Sequence, residues 1–367
     1  MEVAWKQNWD ETRRHFTDWW HHEGLVVSTW TMPAIGGPCA DSPHETVEPP
    51  ASVPRTDERY YSDTAARAQR NHHFLSLLDY PLDLFPIADT DAGPGSLALC
   101  LGSEPDLAPD TVWFRPTMQD EPEPERLQPV RFDPENRWWK IHEATVRDCA
   151  ELARGKYLVG CPDLVENIDV LASLRGMTNL FLDMYDRPGW VTEKLAEINQ
   201  AYFEVYDRIH DIISLEDGSS AFCAYQLWGP GKTAKVQCDA AALISPDLFS
   251  KFTVPFLREQ CAFLDYSMYH LDGTEQFCQL DALLEIEELD AIEFSPNAKL
   301  PFGGDPQWFD LYRRILDAGK SVQVYLVLAR QVLPLLDAIG GDGVYVLGLF
   351  GNQADIDTAS STVEQFR

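Results

Sequence analysis

The sequence predicts a (β/α)8 barrel, in which eight parallel strands close into a ring and each strand is followed by a helix. Short apolar runs alternate with segments of helical spacing, which places the predicted strands near residues 27, 86, 158, 225, 269, 293, 324 and 346. With 367 residues the chain could hold two domains, but α/β barrels of this length are single domains. A doubly wound open sheet is the alternative, which eight regular units fit less well.

The composition is that of a protein with a large core and no membrane segment. Hydrophobic residues make up 45% of the chain, which contains 11 Trp. No apolar run approaches the roughly 20 residues of a transmembrane helix. The first residues, Met1–Lys6, lack the basic and apolar regions of a signal peptide. We therefore expect a soluble, cytoplasmic protein.

The formal net charge of −30 disfavours two classes of partner. Such a chain repels the phosphates of nucleic acids and the head groups of anionic lipids, so we expect neither as a partner. The 8 Cys are scattered, mostly within apolar segments, and form no CxxC pair. This pattern is typical of reduced thiols in a protein core.

The chain begins with a predicted helical extension. Between positions 2 and 22, aromatic residues recur at the spacing of one helical face, namely Trp5, Trp9, Phe16, Trp19 and Trp20. Gly24 ends this helix, and residues 25–30 form the first strand. We therefore expect an extension over residues 1–23 and the barrel over residues 24–367.

The other helices follow from spacing and punctuation. They are predicted over residues 59–78, 140–154, 165–213, 246–264, 280–286, 306–318 and 330–339. The helical stretch 165–213 is expected to break at Gly176 and Pro188, and Ser245 is expected to cap the helix 246–264. Two passages rich in Pro and acidic residues, 32–58 and 104–134, predict long loops over the barrel mouth. The Gly-rich segment 91–96 lacks the spacing of a phosphate loop and predicts a turn.

The stretch from Asp265 to Asp290 carries the most suggestive chemistry. Side chains alternate along a strand, so His270 and Asp272 lie on the same side and point into one small volume. Gly273 then lets the backbone turn away. A buried His held by a neighbouring carboxylate is the structural alternative.

Active sites of (β/α)8 barrels lie at the C-terminal ends of the strands. The other candidate site residues are therefore the ones at or just after predicted strand ends. They are Trp30 after strand one, Asp89 after strand two, Asp163 after strand three, Gln226 and Trp228 at the end of strand four (residues 222–228), Asp239 in the following loop, and Glu293 with Ser295 in strand six. Core packing is the alternative role for the aromatic residues. The carboxylates of Asp272 and Asp239 need a partner or a ligand if they face inward.

Four runs, spread through the same order of elements, resemble one family. They are DLVENIDVLASLRG from Asp163, LFLDMYDRP from Leu180, QCDAAALISPDLFSKF from Gln237 and YHLDGTEQFCQLDALLEI from Tyr269. This sequence resembles the uroporphyrinogen decarboxylase superfamily, whose members share the barrel fold and include both decarboxylases and corrinoid-linked methyltransferases.

The decarboxylase branch implies three features. These are an Arg-bearing Gly-rich loop after strand one, an Asp after strand two and a His after strand eight. Here the segment from Met32 to Cys39 has no Arg, and the segment from Leu347 to Asn352 has no His. The acidic position is present as Asp89 or Asp91. We therefore do not expect a porphyrin-type substrate, since its carboxylates need cationic partners.

The methyltransferase branch implies zinc held by a His-x-Cys motif at strand five and by a Cys after strand eight, with a corrinoid carried by a partner protein. This chain has His270-Leu-Asp272 and Phe350-Gly-Asn352 at those positions. Zinc also accepts nitrogen and oxygen ligands, so His270 and Asp272 remain candidate metal ligands. Family members are often dimers, which implies a homodimer.

The preferred function is corrinoid-linked methyl transfer on a small molecule. His270 and Asp272 would form a metal-binding or proton-transfer pair, with Asp239 and Asp89 as further catalytic carboxylates. The expected substrate contacts are Trp30, Gln226, Trp228, Glu293 and Asp163. A divergent decarboxylase or lyase centred on Asp89 is the alternative, and a non-catalytic barrel that binds a small molecule is the third.

Overall fold

The computed structural model describes residues 3–30, 44–165 and 167–367. The strands are β1 (Leu25–Thr29), β2 (Ile87–Ala88), β3 (Glu104–Leu107), β4 (Val112–Arg115), β5 (Leu158–Cys161), β6 (Ser220–Phe222), β7 (Leu227–Gly229), β8 (Thr233–Gln237), β9 (Tyr266–Asp272), β10 (Ala291–Ser295), β11 (Ser321–Val327) and β12 (Val344–Gly348). The helices are α1 (Trp9–Trp20), α2 (Arg59–Ser62), α3 (Thr64–Ser76), α4 (Leu97–Cys100), α5 (Arg137–Ala153), α6 (Asn167–Arg175), α7 (Met177–Asp186), α8 (Pro188–Ile213), α9 (Pro246–Phe252), α10 (Val254–Phe263), α11 (Leu280–Leu284), α12 (Phe309–Asp317), α13 (Ala329–Ile339) and α14 (Gln353–Val363).

The strands form a barrel of parallel strands. One arc runs in the order β1, β12, β11, β10, β9, β8, and every neighbouring pair in it is parallel. The second arc holds β2, β5 and β6, also parallel. Apart from β6 to β8, which follow one another without a helix, the strands of the two arcs alternate with helices along the chain. Strands β1, β5, β8, β10 and β12 are buried along their whole length, as expected of a sheet covered on both faces. The predicted (β/α)8 barrel is confirmed.

The prediction of one fourth strand over residues 222–228 is wrong. Strand β6 ends at Phe222, and β7 returns antiparallel to it. Tyr225 and Gln226 in the turn between them have φ angles of 57° and 52°, the left-handed pair of a tight hairpin turn. The strand that pairs with β9 is β8, a segment that the sequence analysis left unassigned.

The hairpin turn between β6 and β7, residues 223–226, reaches across the barrel interior. The backbone oxygen of Tyr225 accepts a hydrogen bond from Gln323 Nε2 of β11 at 2.9 Å. The backbone oxygen of Gln226 accepts one from the Tyr345 hydroxyl of β12 at 3.1 Å. Both donors belong to strands of the other arc, so the turn lies inside the ring of strands.

Helix α1 covers the N-terminal end of the barrel, which is called the base below. Its Trp19 Nε1 donates to the backbone oxygen of Gly343 at 3.1 Å, immediately before β12. Trp20 Nε1 donates to the backbone oxygen of Trp228 at 2.9 Å. Phe16 and Trp19 are completely buried and belong to the main hydrophobic core. Helix α1 therefore shares one core with the strands. The domain boundary predicted between residues 23 and 24 stays a prediction.

Several predictions for helices are confirmed. The stretch 165–213 divides at Gly176 and Pro188 into α6, α7 and α8. Ser245 Oγ accepts a hydrogen bond from the backbone N–H of Leu248, as expected of an N-cap. Helix α14 was not predicted. None of the helices in the described parts of the chain is long and apolar enough to cross a membrane.

The two predicted loops have different outcomes. Residues 32–43 of the first, which include the segment Met32–Cys39, lie outside the described residues. The second, predicted as loop over 104–134, contains the antiparallel pair β3 and β4. The Gly-rich segment is a turn, as predicted: the backbone N–H groups of Gly95 and Ser96 donate to the backbone oxygen of Asp163.

Candidate active site

Most predicted site residues lie at the C-terminal end of the barrel, which is called the mouth below. They are Trp30 after β1, Asp89 after β2, Asp163 after β5, Asp239 after β8, His270 and Asp272 in β9, and Glu293 in β10, with Gln226 in the hairpin turn. Trp228 is the exception. Its ring packs on Phe16 and Phe85, so it lies at the base and does not line the mouth.

His270 is bonded to Glu293. The parallel register of β9 and β10 places the two residues side by side, and His270 Nδ1 hydrogen-bonds to Glu293 Oε2. Glu293 is completely buried, and its other oxygen accepts from the Ser295 hydroxyl at 2.8 Å. A carboxylate only accepts hydrogen bonds, so Nδ1 of His270 carries a proton.

The second ring nitrogen of His270 faces Tyr225 in the hairpin turn. The Tyr225 hydroxyl lies 3.1 Å from Nε2, and because Nδ1 is the protonated nitrogen, Nε2 accepts. Burial raises the pKa of Tyr225 well above its ordinary value, and the negative charge of Glu293 adds to this effect. Glu293, His270 and Tyr225 therefore form a continuous chain of carboxylate, imidazole and phenol.

The expected pairing of His270 with Asp272 is not formed. Residues two apart on a strand are separated by nearly 7 Å along the chain, whereas residues paired between neighbouring strands are less than 5 Å apart. Glu293 therefore reaches His270 first. Asp272 is exposed and, with its negative charge, contributes to the raised pKa of Asp239, of which burial is the largest cause.

A buried ion pair lies beside this chain of residues. Lys235 Nζ of β8 donates to Asp163 Oδ2 at 2.7 Å and also to the side-chain oxygen of Gln237. The side chains of both charged residues are at least nine-tenths buried. Asp163 Oδ1 is buried and has no hydrogen-bond partner among the described residues. The sequence analysis missed Lys235, although the alternation Thr233-Ala-Lys-Val-Gln237 was a signal for a strand with polar residues on one side.

Asp239 is held in place by Asp169 of α6. The carboxylate of Asp169 accepts hydrogen bonds from the backbone N–H groups of Asp239 at 2.7 Å and Ala240 at 2.9 Å. Burial, with the nearby charge of Asp239, raises the pKa of Asp169 to about 7. Asp169 was missed as well, because it lies within a helical pattern and not at a strand end.

Asp89 belongs to a second acidic group at the mouth. Its Oδ1 accepts from the backbone N–H of Asp91 at 2.7 Å. Burial raises the pKa of Asp91 well above its ordinary value, with Asp89 and Asp163 adding to the shift. Burial and the charges of Asp91 and Asp89 also raise the pKa of Cys223 in the hairpin turn. Cys223 is therefore a neutral thiol and not a thiolate.

His270 and Asp272 do not offer a free set of ligands for zinc. Both ring nitrogens of His270 have protein partners, Glu293 and Tyr225. Within the described ranges, no group of three or more His, Cys, Asp or Glu side chains is arranged to hold a metal ion. Asn352, at the position of the missing thiol, caps α14 by accepting from the backbone N–H of Asp355 at 3.0 Å. This arrangement of the described residues does not fit zinc.

Comparison with known proteins adds information on the fold. No protein-family model and no curated protein matches the sequence. The structure is similar to that of a methyltransferase from Methanosarcina mazei, with a TM-score of 0.57 and 11% sequence identity over 97% of this chain and 98% of that chain. A weaker likeness to xylanase 10B from Thermotoga maritima covers 65% of this chain and 82% of that chain at 10% identity, and its TM-score of 0.34 carries no argument. The first likeness shows a shared fold over the whole chain.

Proposed function

We propose that this chain is a methyltransferase-type member of the uroporphyrinogen decarboxylase superfamily that transfers a methyl group to or from a small molecule. The observation that carries the proposal is the chain of Glu293, His270 and Tyr225 at the barrel mouth. The proposal is supported by the fold that the protein shares with an archaeal methyltransferase. The four runs of sequence described above support it as well.

The proton chemistry of methyl transfer fits these three residues. A small-molecule acceptor must lose the proton of its O–H, N–H or S–H group as it gains a methyl group. That proton passes to the Tyr225 oxygen while the Tyr225 hydroxyl proton passes to His270 Nε2, and Glu293 stabilises the imidazolium that results. The new bond to carbon uses an electron pair of the acceptor atom, and the pair of the broken bond stays with the donor. Methyl loss follows the same steps in reverse.

Other residues at the mouth would position the substrate. Asp163 Oδ1, which lacks a partner among the described residues, can accept a hydrogen bond from a substrate N–H or O–H. Trp30 packs edge-on against Tyr325 at 5.3 Å and offers an apolar wall. Asp272 lies at the solvent-exposed rim, close enough to Asp239 for its charge to affect the pKa of that carboxyl group. A corrinoid on a partner protein would supply the methyl donor or acceptor, and no described residue is assigned to bind it.

Substitution of His270 tests the proposal. Methyl transfer from free methylcobalamin to a panel of one thiol, one amine and one phenol is followed by absorbance, for the wild type and for His270→Asn and Glu293→Gln. Loss of a positioned acid–base group costs about 100-fold or more in kcat. We expect such a loss in both variants, with a Tm shift of only a few degrees.

His210→Asn is the matched control, since His210 is a half-buried imidazole on α8, outside the mouth. It should leave turnover unchanged. The proposal is contradicted if His270→Asn unfolds early while its folded fraction retains normal turnover, because His270 would then be only a core hydrogen-bonding residue.

A carboxy-lyase is the second candidate, because one observation favours it. Asp91 lies next to Asp89, to which its backbone N–H donates at 2.7 Å, and burial raises the pKa of its carboxyl group. A carboxyl group of raised pKa can serve as the acid that protonates the carbanion left after loss of CO2. Release of CO2 from a carboxylic acid substrate, abolished by Asp91→Asn and unaffected by His270→Asn, would favour the lyase over the methyltransferase.

A further inference from the structure

A cavity of about 540 Å³ lies beside the acidic group at the mouth and is lined by three arginines. Arg55 precedes α2, whereas Arg67 and Arg70 belong to α3. Tyr60 and Phe74 also line it, together with three carboxyl groups, those of Asp89, Asp91 and Asp110. Three guanidinium groups around one cavity are unexpected in a chain with 29 basic and 59 acidic residues.

Arg70 has a donor that faces no acceptor. Its Nη2 donates to the backbone oxygen of Tyr60 at 2.6 Å, and the guanidinium lies over the Tyr60 ring, 4.4 Å from its centre. Its Nη1 is buried and finds no hydrogen-bond partner in the part of the chain that the structure describes. A buried donor of a charged group is costly when it is left unpaired, so a ligand acceptor that reaches Nη1 from the cavity would remove this cost.

The other two arginines have different roles. Arg67 is buried and donates to the backbone oxygen of Asp91, so it holds the turn after β2. Arg55 is exposed at the cavity and interacts with the Tyr60 side chain. The carboxyl groups of Asp89, Asp91 and Asp110 oppose these positive charges, and burial raises the pKa of Asp91 well above its ordinary value. With three arginines and three carboxyl groups in its lining, the cavity is less acidic than the chain as a whole, which has 29 basic and 59 acidic residues.

We propose that this cavity binds an oxyanion, a carboxylate or a phosphate group, carried by an apolar or aromatic small molecule. Arg70 Nη1 and the guanidinium of Arg55 bind the anionic group, since an arginine fork matches the geometry of both groups. Tyr60 and Phe74 contact the body of the molecule. The charged head is thus held at α3, on one side of the mouth.

The position of the cavity also indicates which class of substrate would take part in the proposed methyl transfer. This inference about the substrate rests on the proposed function. A smaller cavity of about 150 Å³ shares Asn71, Phe74 and Asp89 with the first one and is also lined by Cys223 and Gln226. These last two residues belong to the hairpin turn that also carries Tyr225. A molecule anchored at Arg70 can therefore extend its other end toward this turn.

Calorimetric titration with benzoate and with phenyl phosphate tests the anion site without any methyl donor. We expect both probes, or one of them, to bind the wild type at low ionic strength and Arg70→Gln to bind at least about tenfold more weakly. The preferred probe identifies the anionic group as carboxylate or phosphate. Arg70→Lys, which keeps the charge and loses the fork, should bind with intermediate affinity and guards against a loss of folding in Arg70→Gln.

Arg126→Gln is the matched control. Arg126 is an exposed arginine paired with Glu123 and does not line the cavity, so its loss should change binding by less than about twofold. The inference is overturned if neither probe binds at millimolar concentration, or if Arg70→Gln and Arg70→Lys bind as the wild type does. Normal binding of a probe without methyl transfer to any acceptor would contradict the proposed function alone.

Discussion

Asp169 is the residue whose ionisation should be visible in the stability of the protein. Its carboxyl has a pKa of about 7 in the folded state and about 3.9 in an unfolded chain. Between these values the folded state binds more protons than the unfolded state, so the free energy of unfolding falls as pH rises from about 4 to about 7. Above pH 7 this contribution is fully lost.

We expect Asp169→Asn to flatten the dependence of stability on pH. Urea unfolding at several pH values between about 4 and 8 measures the difference between this variant and the wild type. One of the two backbone hydrogen bonds of Asp169 is lost, which costs about 1 kcal/mol at low pH. A difference between the two proteins that does not change with pH would contradict the raised pKa.

The buried pair of Lys235 and Asp163 gives a second prediction. Lys235→Met leaves a buried carboxylate without its cation, which should cost about 3 to 5 kcal/mol in the free energy of unfolding. Lys235→Met combined with Asp163→Asn removes both charges, and most of this loss should be recovered. If the double variant were as unstable as the single one, packing of the Lys235 side chain would be the cause, not its charge.

For individual residues, the sequence predicted which side chains lie at strand ends but not which of them bond to each other. His270, Glu293 and Asp163 could be found because polar residues at the end of an apolar run are recognisable. The bond between His270 and Glu293 depends on the register of two strands 23 residues apart in sequence. Lys235 was missed because its strand was assigned to the wrong segment.

Among the elements, the hairpin of β6 and β7 is packed tightly against β5. A Cβ atom added to Gly160 of β5 would lie 2.6 Å from the backbone of Cys223 in the hairpin turn. Gly160→Ala should therefore displace the turn and destabilise the protein by about 1 to 3 kcal/mol. Because the turn carries Tyr225, turnover should fall as well.

Gly189→Ala in α8 is the control for that substitution. A Cβ atom at Gly189 meets nothing within 4 Å, and Ala favours a helix over Gly by up to about 1 kcal/mol. Thermal unfolding of both variants should show a lower Tm for Gly160→Ala and an unchanged or higher Tm for Gly189→Ala. Equal Tm values would mean that the hairpin turn moves freely.

The hairpin also explains the error in the predicted strands. Tight turns with two left-handed residues usually contain Asn or Gly, and here they are Tyr225 and Gln226. Nothing in the apolar run 222–228 marks that turn. The turn is stabilised by tertiary contacts with Gln323 and Tyr345, which lie about 100 residues further along the chain. Strands of regular length such as β9 to β12, by contrast, were predicted close to their observed bounds.

For the whole molecule, a buried carboxylate at the base joins distant parts of the chain. Asp83 accepts hydrogen bonds from His15 of α1 at 2.7 Å and from the backbone N–H of Val27 of β1 at 2.8 Å. Arg367 donates to the same carboxylate. These contacts span 352 positions, from 15 to 367, and no local pattern in the sequence predicts them.

Arg367→Met should weaken this junction. The Arg367 side chain is a quarter exposed, so the expected loss is smaller than for a fully buried pair, about 1 to 2 kcal/mol in urea unfolding. Arg313→Met removes an exposed arginine paired with Asp310 and should change stability by less than about 0.5 kcal/mol. Equal effects of the two substitutions would show that the contact with Asp83 does not contribute.

Phe16, Trp19 and Trp20 are buried and close the base of the barrel. This closure limits the routes by which ligands reach the interior. Because the described residues close the base, we expect ligands to enter and leave the interior at the mouth. A product that has not yet left then occupies the route of the next substrate. Steady-state measurements should accordingly show that the product is a competitive inhibitor with respect to the substrate. Substrate would then bind only after the product has left the mouth.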